Sequence, residues 1–125
     1  MKKIGFVFFF VLIAFLGSYA QHKDISGVYR VSINPKEVIT IKKLVSGGYY
    51  IESNQGWTGN LFDSDKTRYD GMWQYSTKHQ NKKLRGITGD HICVVRKDGS
   101  IAVTITPDDD EVPSGVVTWR KMAKK

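Results

Sequence analysis

One cysteine, Cys93, is all the chain holds, so no disulfide can form within it and its stability must come from packing. Proline is almost as scarce, with three in 125 residues. Beyond residue 20 no segment keeps a helical apolar period over three turns, which argues against a helical bundle. No later apolar run reaches the about 20 residues that a membrane-spanning helix needs. His22, His79 and His91 lie in unrelated segments without metal-ligand spacing. There is no nucleophile elbow, phosphate loop or glycine-rich dinucleotide turn. The stretch DSDKTRYDG opens like a calcium loop. Arg68, however, stands where that loop needs glycine, and Gln74 where it needs glutamate. The sequence thus offers no catalytic residue, no metal site and no cofactor site, and the expectation is a protein that is not an enzyme.

Acidic residues are the minority, 12 against 19 lysines and arginines, for a formal charge of +7. Such a balance favours loose attraction to anionic surfaces, phosphorylated glycans or lipid head groups. Nucleic acid is the usual partner of a basic chain, but the N-terminus argues against it. Met1-Lys2-Lys3 is followed by an apolar run, Ile4 to Leu16, and then by Ser18-Tyr19-Ala20 with small residues at the two positions a signal peptidase reads. Residues 1–20 are therefore expected to be a secretory signal, and 21–125 a single exported domain, periplasmic or extracellular. The basic cluster Lys78, Lys82, Lys83 and Arg85 reads as a solvated hairpin.

What is present reads as strands and turns. Ile101, Val103 and Ile105 alternate with Ala102, Thr104 and Thr106, the period of a half-buried strand. Asp98-Gly99 is a tight hairpin turn, and Asn34-Pro35 separates two further apolar runs. Continued along the chain, this pattern predicts strands at 27–33, 38–44, 49–53, 57–62, 67–75, 84–88, 91–96 and 101–106, with 116–122 as a ninth candidate. Short connections favour antiparallel neighbours. The expected fold is an all-β, small antiparallel up-and-down barrel of about eight strands, with an open β-sandwich as the alternative. Cys93 lies in the apolar run HICVVR and is expected to be buried. His91 shares its strand face, a spacing that brings no contact by itself.

The densest chemistry lies between Trp57 and Tyr75. Trp57-x-Gly59 and Tyr69-x-Gly71-x-Trp73-x-Tyr75 put large aromatics and glycines alternately on one strand face. Such a face either fills a barrel, with the glycines relieving crowding beside the rings, or lines a ligand site. Tyrosine and tryptophan carry polar ends that need partners when buried. Tyr49, Trp57, Tyr69, Trp73 and Tyr75 are accordingly the candidate ligand-binding residues.

SGVYRV, GWTGNLFDSDKTRYDG and VVTWRKM together resemble small exported bacterial proteins of the lipocalin-like (calycin) type. Those proteins have a Gly-x-Trp/Tyr first strand, a Trp-x-Gly strand, a Tyr-x-Gly strand and a final tryptophan beside a basic residue, as Trp119-Arg120 is here. Tyr29 stands where their first strand typically has tryptophan. The resemblance implies a barrel with a binding or interaction role. The expected function is a non-enzymatic binding module for a small amphipathic or glycan-like ligand. The alternative is a filled barrel that acts on a protein partner as an interaction factor or inhibitor.

Overall fold

The computed structural model describes residues 24–109 and 114–122. The expected secretory signal, its cleavage point and His22 lie outside the described residues. Eight strands follow one another: β1 (Gly27–Val31), β2 (Asn34–Lys43), β3 (Tyr49–Ser53), β4 (Trp57–Asp63), β5 (Arg68–Tyr75), β6 (Thr88–Val95), β7 (Ile101–Pro107) and β8 (Gly115–Lys121). Each pairs antiparallel with the next, and β1 pairs with β8, so the sheet closes into an up-and-down barrel. The closure excludes the open sandwich. It also satisfies the strand edges that would otherwise offer unpaired backbone groups to other chains.

Several strand ends shift by a residue or two, and two expected features differ more than that. Pro35 does not separate strands. It is the second residue of β2, where its missing N–H is tolerated near a strand start. The chain turns instead at Ser32-Ile33. Residues 84–88 are not a strand of their own, since only Thr88 is extended and it opens β6. The amides of Leu84 and Ile87 bond locally to Asn81 and Leu84, at 3.0 and 3.1 Å. Gly86 takes a positive φ of 69°, which extended pairing does not allow. The basic residues Lys78, Lys82, Lys83 and Arg85 therefore ride on a 76–87 connection and are solvent-exposed, as charged groups of one sign require. The Asp98-Gly99 turn forms as expected. Gly99 has φ 86°, and Asp98 Oδ1 accepts from the Ser100 backbone N–H at 2.9 Å.

Period-two alternation sends one face of every strand inward. Ile39, Ile41, Ile51, Leu61, Ile101 and Val103 fill the middle of the barrel and are essentially unexposed. Burial of such side chains stabilises the fold by about 1.5–3 kcal/mol each. One end of the barrel is also solid. Ile25, just before β1, caps it, and the Tyr29 hydroxyl donates to the Ile25 carbonyl at 2.7 Å. Tyr49 and Tyr69 meet edge to face with centroids 5.7 Å apart. Burial, with Tyr49 and Asp24 nearby, pushes the Tyr29 phenol up to about 12. Burial likewise raises Tyr49 and Tyr69, so all three phenols stay protonated as hydrogen-bonding groups.

Candidate functional site

The opposite end is hollow. It is the end that carries the 32–33, 54–56 and 76–87 connections. A pocket of about 210 Å³ opens there, smaller than the roughly 300–1,000 Å³ typical of sites for drug-sized ligands. Its aromatic lining is Trp57 of β4, Trp73 and Tyr75 of β5, and Trp119 of β8. Val31, Ile105 and Val117 supply aliphatic wall. Three of the five residues expected from sequence, Trp57, Trp73 and Tyr75, thus share one pocket. Tyr49 and Tyr69 belong to the solid end and do not line it.

The register explains how three indoles fit into so narrow a barrel. Trp73 stands directly between Gly59 on β4 and Gly89 on β6. At Gly89 an added Cβ would lie 2.3 Å from Trp73 Cζ2, so this glycine is the seat of the indole. Held there, Trp73 donates its Nε1–H to the Asp90 carbonyl at 3.0 Å. Sequence reasoning placed the crowding relief at Gly59 and Gly71 and missed Gly89, whose partner became visible only with the β5–β6 pairing.

Gly71 has a different task. An added Cβ there would lie 1.8 Å from the Asn60 carbonyl oxygen. The β4–β5 pairing lapses at this point, between Gly59↔Trp73 and Phe62↔Asp70. The Asn60 side chain stands in for the missing ladder acceptor by taking the Met72 N–H at 3.0 Å. The freed Asn60 carbonyl accepts from His91 Nε2 at 2.8 Å, across the space that a side chain at position 71 would fill. A carbonyl only accepts, so Nε2 carries the proton and Nδ1 is left as an acceptor. His91 is 2% exposed, and burial lowers its pKa from the ordinary value, which keeps the imidazole neutral.

His91 also lines the pocket and meets two of its indoles, with centroids 6.3 Å from Trp57 and 6.4 Å from Trp119. Trp57 and Trp119 lie 6.1 Å apart at 31°. Trp119 is only 1% exposed, yet its indole N–H has no hydrogen-bond acceptor among the described residues. Cys93, the next inward residue on β6, is fully buried, and burial pushes its thiol up, which removes the thiolate that nucleophilic chemistry needs. The Cys–His face seen in the sequence is therefore divided between core and pocket.

Among the described residues one carboxyl group lines the pocket, and sequence reasoning did not single it out. Glu37 lies on β2 two residues before Ile39, on the inward face. Its Oε2 accepts from Trp57 Nε1 at 2.8 Å and from the Ser53 hydroxyl at 2.5 Å. Its Oε1 has no partner among the described residues. The signal that would have found it is the spacing Glu37-x-Ile39-x-Ile41, a carboxylate continuing an apolar strand face. Tyr75 lies close enough for Glu37 to add to the burial that raises its phenol pKa. At the rim Tyr75 also meets His79 edge to face, at 5.3 Å. His79 Nε2 donates to the Gln55 carbonyl at 2.7 Å, and Nδ1 accepts the Asn81 N–H at 3.0 Å. This imidazole ties the 76–87 connection to the β3–β4 turn beside the opening. Among the described residues no group of three histidine, cysteine or carboxylate side chains is placed to hold a metal ion.

Comparison of the chain with protein-family models, curated proteins and solved structures gives no match. What the chain does must therefore be argued from the barrel itself.

Proposed function

We propose that the protein is an exported, non-enzymatic binding module that holds one small amphipathic ligand in the open half of its barrel. The observation that carries this reading is the asymmetry of the interior. Aliphatic residues and three tyrosines fill one half, whereas three tryptophans and Tyr75 surround a space of about 210 Å³ in the other. An interior built only for stability would close both ends, because every unfilled volume forfeits contacts. Indole faces supply broad apolar contact at low entropic cost. The His91 Nδ1 and the Glu37 Oε1 supply acceptors that a wholly apolar guest would leave unsatisfied. A ligand with an apolar body and a polar end suits this lining, and a flat sugar face on an indole falls within the same description.

Mass spectrometry of small molecules released on denaturing the purified protein tests the reading. A compound retained by the wild-type protein should be lost from Val117→Phe, which fills the pocket from its aliphatic wall. Equal retention by a folded Val117→Phe protein would remove the pocket from the account.

A further inference from the structure

We infer that the ligand's polar end is an organic cation, an ammonium carried on a small apolar body, with Glu37 as its counter-charge. This rests on the binding reading above and narrows it. Among the described residues Glu37 is the only carboxylate that lines the pocket, and no described lysine or arginine lines it to balance the charge. His91 adds no charge, because its Nε2 proton is committed to the Asn60 carbonyl and burial keeps the ring neutral. The pocket is thus locally anionic inside a chain of formal charge +7.

The geometry of Glu37 is that of a fixed receptor. Trp57 Nε1 and the Ser53 hydroxyl both hold Oε2. Two donors on one oxygen orient the carboxylate and leave Oε1 for a guest. Trp57, Trp73, Tyr75 and Trp119 line the same pocket, and the faces of such rings carry the negative side of the aromatic quadrupole. A carboxylate and several π-faces attract a cation together, and both repel a carboxylate or phosphate ligand. The remaining positive charge of the protein does not reverse this. At physiological salt, exposed charges beyond about 8 Å are largely screened, whereas a guest bonded to Glu37 is in direct contact. The size of the pocket restricts the apolar body to about one ring or a short chain.

Three probes sharing one body test the inference: 2-phenylethylammonium, 2-phenylethanol and phenylacetate, titrated by calorimetry in 0.15 M salt, roughly the physiological ionic strength. The ammonium compound should bind at least about tenfold more tightly than the alcohol, a difference of about 1.4 kcal/mol, and phenylacetate should bind most weakly. In Glu37→Gln, which keeps an oxygen to accept from Trp57, the preference for ammonium over alcohol should fall to within about twofold. Saturable wild-type binding of all three with equal affinity, or a preference for phenylacetate, would overturn the cation assignment and leave the binding module standing. Failure of the wild-type protein to bind any of the three would overturn both.

Discussion

Gly89→Ala is the substitution whose consequence follows most directly from the geometry. The new methyl carbon would lie 2.3 Å from Trp73 Cζ2, 2.6 Å from Cε2 and 2.7 Å from the Thr106 carbonyl oxygen. Unstrained carbon atoms sit about 3.5–4.0 Å apart, so the indole must retreat by about 1 Å or more. A rigid ring cannot bend away. Its movement draws Nε1 from the Asp90 carbonyl, now at 3.0 Å. Overpacking of this kind costs about 1–3 kcal/mol, and loss of the hydrogen bond adds about 0.5–1.5 kcal/mol. A loss of about 2–4 kcal/mol is expected, large against the about 5–15 kcal/mol of a typical domain. Urea unfolding followed by circular dichroism would measure it. Trp73→Phe removes both the indole edge and the donor, so in that background Gly89→Ala should cost at least about 1 kcal/mol less, a coupling that a double-mutant cycle isolates. Wild-type stability in Gly89→Ala would refute the reasoning. An identical cost in both backgrounds would assign the effect to the Thr106 carbonyl and clear Trp73.

Other outcomes follow from the buried titratable groups. His91 has its pKa lowered by burial, so the unfolded chain takes up a proton more readily than the folded one. Its contribution to stability is complete above the unfolded value of about 6.5 and is lost as pH falls through the folded pKa. Midpoints of chemical unfolding should therefore drop as pH falls below about 6.5, and His91→Gln should flatten that drop. An unchanged slope in the folded variant would contradict the assignment. Cys93 is fully buried with its thiol pKa pushed up, so it should react with a thiol-specific disulfide reagent only after unfolding. Rapid labelling of the native protein would show that the β6 interior is open.

Much of the barrel was legible because its cause is local. Alternation in Ile101 to Thr106 and the Asp98-Gly99 turn are written within a few residues, and β7 with its preceding turn lies where they indicate. Residues 84–88 misled because their apolar pattern is short, while the turn bonds to Asn81 and Leu84 and the positive φ of Gly86 decide the conformation. The site was legible only in part, for a physical reason. Trp57, Trp73 and Tyr75 announce an aromatic face by their spacing. Whether that face is filled or hollow depends on which strands close over it: Tyr69 shares the alternation and Tyr49 faces inward from β3, yet both lie at the solid end. Glu37 and Gly89 acquire their meanings from residues 20 and 16 positions away, Trp57 and Trp73. Such relations come from strand register, which no single segment carries.

The claim that the open half of the barrel is a binding site has a direct test in nitrogen–proton correlation spectra recorded during titration with 2-phenylethylammonium. The indole N–H signals of Trp57, Trp73 and Trp119 should shift together and saturate, while the backbone amides of Tyr49 and Tyr69 at the solid end stay in place. Absence of any saturable shift in the indole signals, or shifts confined to the outer wall around Phe62 and Met72, would contradict the account.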